Sequence, residues 1–254
     1  MIAKNKGTNM KKSLDLVIHF AFVASLALML GSCKVSNKTV MRHQKLEEGV
    51  QNPTTIEELR SAIEKYQERV ADVQLAQSQI GIWYKILGTR YLDNKMYGEA
   101  LNCFKEALQY YPDNQNLYYY VGVCAGYMSH AAMDFGGTGA NEIRYNYLKL
   151  AEDAYSRAIA IEDRYVRAMY GLGVLYVFEL DEPDKAIPHL EKALSIDTKN
   201  LDTMFVLARA YYSNYEFDKA VQIYDKIIET TKSDDTRKTA EENKSLVLDA
   251  AYSN

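Results

Sequence analysis

Cysteine is scarce in this chain, with three in 254 residues, and so few exclude a fold stapled by a disulfide framework. Cys103 and Cys124 read as small apolar side chains packed between helices, with a single bond between them as the other option. Histidine is scarce too. His19 lies in an apolar run, and His43, His130 and His189 are far apart, none spaced with Cys, Asp or Glu as metal ligands are. There is no G-x-x-x-x-G-K-[ST] pattern, so the glycine-rich "FGGTGANE" has no phosphate-cradling motif around it. A basic excess is also missing. The net charge is −4, and residues 1–32 contribute Lys4, Lys6, Lys11 and Lys12 against Asp15, so the remainder carries −7. An acidic chain without a basic stripe is a poor nucleic-acid binder. Carboxylate pairs such as Glu47-Glu48 and Asp234-Asp235 sit in polar runs and read as solvated. No catalytic constellation, metal site or cofactor motif remains, so the expectation is a non-enzyme without a cofactor.

Long apolar runs are limited to one. Lys11 and Lys12 precede "LVIHFAFVASLALML", which stops at "GSC". A membrane-spanning helix needs about 20 apolar residues, and a basic start, a short apolar core and small residues make a secretory signal. Leu30-Gly31-Ser32-Cys33 resembles the lipobox of bacterial lipoproteins. That resemblance implies removal of residues 1–32, an acylated (palmitate-bearing) Cys33 as the first mature residue, and a protein anchored in the bacterial cell envelope and facing the periplasm. Lys34 is not the retention aspartate of the proteobacterial sorting rule, which favours the outer membrane. An ordinary signal peptide and an N-terminal anchor helix are the alternatives, and Met10 is an alternative start. Residues 33–53 are polar and without apolar period, and read as a tether reaching about 25 Å as a flexible coil.

What the chain does have is internal repetition. Tyr84, Leu87, Gly88 and Tyr91 are followed by Ala100, Phe104, Ala107 and Pro112. Tyr118, Val121, Gly122 and Ala125 precede Ala151, Tyr155 and Ala158; Met169, Leu172, Gly173 and Tyr176 precede Ala186, Leu190 and Ala193; Met204, Leu207, Ala208 and Tyr211 precede Ala220, Tyr224 and Ile227. Spacing and residue type recur together, and the pattern resembles the tetratricopeptide (TPR) repeat. The resemblance implies an all-α fold, a right-handed TPR-type solenoid of four repeats over residues 81–232. Small residues at Gly88, Gly122, Gly173 and Ala208 let the second helix of each pair approach, and Phe104, Tyr155, Leu190 and Tyr224 fill the space between pairs. Each pair leaves an apolar face that stacking must cover.

The second repeat carries 17 extra residues between Gly122 and Ala151, relative to the first repeat. Ile143, Tyr147, Leu150, Ala154 and Ala158 keep helical spacing, so both helices are expected to lengthen into a protruding hairpin with Gly136, Gly137 and Gly139 at its tip. An N-terminal helix is expected over 54–80, opened by a Thr55/Glu58 capping box. Ile56, Leu59, Ile63, Tyr66, Val70 and Val73 alternate at three and four residues. That stripe either caps the first repeat or mediates self-association. A C-terminal capping helix is expected over 233–254, with Leu246, Val247 and Leu248 as an apolar end.

The chain has 21 tyrosines, densest in "NLYYYVGVCAGY". The family's inner-surface positions, carried onto this sequence, give Ile82, Lys85, Thr89 and Leu92; Tyr119, Val123 and Tyr127; Arg167, Tyr170, Val174, Val177 and Phe178; and Phe205, Arg209 and Tyr212. Tyr118 then faces the core and Tyr119 the groove. The carboxylate clamp of some TPR co-chaperones is absent, because Thr89, Tyr120 and Gly171 stand where amide and guanidinium groups are needed beside Lys85 and Arg167. The expectation is a membrane-anchored envelope scaffold that binds a segment of another envelope protein. The alternatives are an accessory lipoprotein of a TRAP-type solute transporter holding a small apolar ligand, and a structural homo-oligomer whose groove is filled by a terminal helix.

Overall fold

The computed structural model describes residues 53–132 and 141–253, together with Met41 and Val50. Cys33 and the glycines at 136, 137 and 139 lie outside the described residues, and so do the expectations that rest on them. Among the described residues every long element is helical: α1 Ile56–Asp93, α2 Tyr97–Tyr110, α3 Gln115–Ala131, α4 Glu142–Ile161, α5 Val166–Phe178, α6 Pro183–Ile196, α7 Leu201–Ser213, α8 Phe217–Thr230 and α9 Asp234–Ser253. Residues 1–70 and 71–254 form two compact units.

In the first unit the described backbone is the opening of α1. Thr55 N donates to Glu58 Oε2 at 3.0 Å and Glu58 N donates to Thr55 Oγ1 at 3.2 Å, the reciprocal pair of a capping box. The Thr54 amide adds a donor at 2.8 Å. These amides, Thr54 first, hold the Glu58 carboxyl below its ordinary range. Ile56, Leu59, Ile63, Tyr66 and Val70 are exposed rather than buried.

One departure from expectation is the missing break at residue 80. A single 38-residue helix runs through it, because nothing in that stretch ends a helix. Gly81 has a different duty: a Cβ there would lie 2.7 Å from the Tyr110 Cβ and from the Tyr111 ring. It admits the end of α2, and the Tyr111 hydroxyl donates to the Ser78 carbonyl at 2.9 Å.

In the second unit α3/α4, α5/α6 and α7/α8 pair and stack in order, with α2 on α3 and α9 on α8, and α1 meets α2 at Gly81 and Gly88. Asparagine opens three of them. Asn114, Asn141 and Asn200 accept side-chain hydrogen bonds from amides in the first turns of α3, α4 and α7. Within the pairs a Cβ on Gly88 would meet the Phe104 ring at 2.9 Å, one on Gly122 the Tyr155 ring at 2.6 Å, and one on Gly173 the Leu190 side chain. Between pairs, the Tyr176 hydroxyl of α5 donates to Glu152 of α4 at 2.8 Å, and the Tyr211 hydroxyl of α7 donates to Glu191 of α6. Lys185 and Lys219 sit over those two rings at 5.7 and 5.2 Å. Leu87 is exposed while its counterparts Val121, Leu172 and Leu207 are buried. Cys103 and Cys124 are buried and unpaired, and burial pushes the Cys124 thiol up to about 12, leaving it inert.

The inserted residues do lengthen their helices, α3 to 17 and α4 to 20 residues against 13 and 14 in the next pair. The described part of the hairpin does not stand clear. Arg144 and His130 reach Glu179 at the end of α5, at 2.6 and 3.1 Å. At the other end, Ala240 and Val247 of α9 are buried and Lys244 pairs with Asp225 at 2.6 Å. Leu246 is exposed, so the apolar end faces the stack through Val247 rather than as a block.

The glycines give a paired test. Gly122→Ala should cost about 1–3 kcal/mol, the range for overpacking a filled interior, because its Cβ meets the Tyr155 ring, to which a Cβ on a second glycine, Gly171, would also come within 2.8 Å. Gly126, four residues on, has nothing within 4 Å of a Cβ, so Gly126→Ala should stabilise by up to about 1 kcal/mol through helix propensity. Urea unfolding midpoints check both, and equal shifts would contradict the packing described.

Candidate functional site

The first helix of each pair presents side chains in two directions, and the tyrosine run 118–120 shows how a helix divides them. Successive side chains step by roughly 100°. Tyr118 packs toward the larger core cluster under Arg157 at 5.9 Å, and Tyr120 stacks on Phe104 at 4.9 Å. Tyr119 points between them. Its ring meets Tyr120 at 5.5 Å, Tyr165 at 5.9 Å and Tyr155 at 6.0 Å, and the Arg167 guanidinium lies over it at 4.3 Å. The Tyr165 hydroxyl donates to Asn116 at 2.8 Å, which fixes the edge of this cluster.

Beside Tyr119 opens a cleft of about 330 Å³ between α3, α4 and α5. Tyr119, Val123 and Tyr127 line it from α3, Tyr170 and Val174 from α5, and the Tyr155 ring from α4. Tyr155 is only 7% exposed, whereas Tyr127 is 49% exposed and stacks on Tyr97 of α2 at 4.2 Å. Gly126 and Gly171 keep the walls bare of side chain, and His130 and Glu179 close one end. The cleft is therefore aromatic on its floor and at one rim, with a carboxylate and an imidazole at the other. Burial raises the Tyr155 phenol, and burial with Asp202 raises the Tyr170 phenol. Both remain protonated hydrogen-bonding groups at neutral pH.

Of the residues assigned to the inner surface, the structure brings Tyr119, Val123, Tyr127, Tyr170 and Val174 to this cleft, with Arg167 over its aromatic rim. Phe205, Arg209 and Tyr212 lie further along on α7. Phe205 meets Tyr224 at 6.2 Å, Tyr212 meets Phe217 at 5.8 Å, and Arg209 lies 5.2 Å over the Tyr212 ring. Lys85 and Phe178 are exposed and do not line the cleft among the described residues. Sequence reasoning missed Tyr155 as a cleft residue by treating it only as filler. It also missed the His130–Glu179–Arg144 group, which depends on the inserted segment and has no counterpart in the repeat. The glycine pair Gly126 and Gly171, absent from the signature positions, was the available signal.

Among the described residues no group of three or more His, Cys, Asp or Glu side chains could hold a metal ion. No helix among them is long and apolar enough to cross a membrane.

Residues 82–114 and 177–238 match family models of the tetratricopeptide repeat. A TPR repeat-containing protein of Borreliella burgdorferi is 20% identical over 212 residues, covering 83% of this chain and 90% of that one. A thermophilic TPR protein of Thermus thermophilus superposes with a TM-score of 0.53 at 20% identity, over 76% of this chain and 92% of its own. YrrB, described as a TPR protein with an unusual peptide-binding site, superposes with a TM-score of 0.51 at 20% identity, over 74% and 85%. The chain carries tetratricopeptide repeats, and its fold is an all-α TPR-type solenoid.

Core and cleft roles separate in a measurable way. Tyr155→Ala should cost about 3–5 kcal/mol, as for a buried aromatic. Tyr127→Ala should cost under about 1 kcal/mol, because half of its ring is already in water. Denaturant titration of the two variants checks this, and comparable losses would mean that Tyr127 is a core residue.

Proposed function

We propose that this chain is a non-catalytic TPR scaffold, held to a bacterial envelope membrane through an acylated Cys33, that takes a segment of another envelope protein into its tyrosine cleft. The observation that carries the reading is the set of partly open rings of Tyr119, Tyr127 and Tyr170 beside Val123 and Val174, under the Arg167 guanidinium. Exposed apolar clusters of this kind mark binding surfaces, and tyrosine and arginine are the residues most enriched where truncation costs affinity. Backbone amides of an extended segment find phenol oxygens along the floor, and an apolar side chain finds Val123 and Val174. YrrB, which shares the fold, is described as having a peptide-binding site. Anchoring rests on the Leu30-Gly31-Ser32-Cys33 run of the sequence.

The transporter-accessory reading keeps one supporting observation, the cleft volume of about 330 Å³, at the low end of small-ligand pockets of roughly 300–1,000 Å³. The self-filled groove has none, since no α9 residue lines the cleft among the described residues.

A photo-crosslinking residue placed at Val174, and as a control at exposed Leu246, separates the readings in cells. The scaffold predicts one protein adduct from position 174 and none from 246. The synthetic peptide at the crosslink should bind about 30-fold more weakly to Tyr170→Ala, from about 2 kcal/mol for a hot-spot aromatic. Adducts from 246 alone, or none from 174, would overturn it. Independently, Cys33→Ala should lose labelled palmitate and leave the membrane fraction; a variant that still takes up palmitate would end the anchoring proposal.

A further inference from the structure

On α1, Ile56, Leu59, Ile63, Tyr66, Val70 and Val73 are all exposed, and the Arg69 guanidinium of the same helix lies over the Tyr66 ring at 5.1 Å. Ile56 is 65% exposed, Ile63 57%, and Val70 and Val73 each 56%. Four a/d layers fit the stretch 56–80 without a skip, with Ile56, Ile63, Val70 and Gln77 at the a positions and Leu59, Tyr66, Val73 and Ile80 at d. A stripe sustained over this length with charges outside it is the pattern of a coiled-coil seam.

Three features point to a second copy of this chain as the occupant. The first is the shape of the seam. The groove on this face is lined by Leu59, Ala62, Ile63, Tyr66, Gln67 and Val70, which are d, g, a, d, e and a. Those six are the union of two four-residue holes, Leu59-Ala62-Ile63-Tyr66 and Ile63-Tyr66-Gln67-Val70. In a parallel in-register pair such holes receive an a knob and the next d knob, here the second copy's own Ile63 and Tyr66.

The second is charge. Glu57, Glu58, Glu64, Glu68 and Asp72 all fall at b, c or f, on the side away from the seam. The flanking g-to-e pairs of an in-register dimer are Ala62 with Gln67 and Arg69 with Gln74, so no like charges meet. The third is residue type at the opening layers, where β-branched Ile56 and Ile63 at a flank Leu59 at d, the combination that favours two parallel strands. Val73 and Ile80 at d weigh towards a third strand, so the chain mass is the deciding measurement.

We propose that α1 pairs with α1 of a second copy as a parallel, two-stranded, in-register coiled coil over residues 56–80, making the protein a dimer. The pairing does not depend on the cleft or on the anchor.

Sedimentation of the full chain in mild detergent, at tens of micromolar, should give twice the mass of one chain. Ile63→Glu combined with Val70→Glu should halve it, with helix content and the unfolding transition of the repeats unchanged. Under mild oxidation Ile63→Cys should cross-link two chains, whereas Glu68→Cys, at an f position, should not. The cross-link reports the register even if the glutamate variant fails to fold. A single-chain mass with no cross-link would overturn the proposal. A dimer that survives the glutamates, a three-chain mass, or equal cross-linking at 63 and 68 would overturn it as well.

Discussion

The ring of Tyr155 lies between Gly122 on α3 and Gly171 on α5, and a Cβ on either glycine would come within 2.8 Å of it. One side chain of α4 thus sets the separation of two first helices in adjacent repeats. Interiors are close-packed, so a ring held on both faces has no free volume into which to move. The same device recurs with Phe104 against Gly88 and with Leu190 against Gly173. Where these contacts hold α3 and α5 apart at a fixed distance, the space beside the ring becomes the cleft. Stack geometry and cleft geometry are in that sense one property.

That coupling explains why the tyrosines are neither plainly core nor plainly surface. Tyr119 packs on three other rings and under Arg167, yet it also lines the cleft. A half-buried aromatic is already ordered, so little side-chain entropy is lost when a partner covers the rest of it. The inserted residues contribute at the other end, where His130 and Arg144 converge on Glu179. The TPR scaffold supplies the aromatic floor, and a departure from the repeat supplies the polar end.

The helix pairs were legible because spacing and residue type agree at every repeat, and because packing needs a small residue opposite each large one. The Thr55/Glu58 cap was legible for a similar reason, since two local hydrogen bonds satisfy it without help from elsewhere in the fold. The run-through at Gly81 was not, because a glycine that makes room for Tyr110 and Tyr111 looks the same in sequence as one that ends a helix. The exposure of Leu87 was also hidden, because a signature position does not reveal whether anything covers it. For the cleft, repeat positions pointed to Tyr119, Val123, Tyr127, Tyr170 and Val174. Lys85, Phe178, Phe205, Arg209 and Tyr212 fall outside it among the described residues, because the cleft lies where the lengthened pair meets its neighbour rather than along the whole stack.

A double-mutant cycle between Gly122→Ala and Tyr155→Leu tests the central contact most directly. If the Tyr155 ring is what a methyl group at 122 meets, alanine should be costly beside tyrosine and nearly free beside leucine. The coupling energy would then be about 1–2 kcal/mol, as for residues in direct contact. Losses that add to within about 0.5 kcal/mol, as for independent sites, would contradict the account and leave the spacing of α3 and α5 to some other contact.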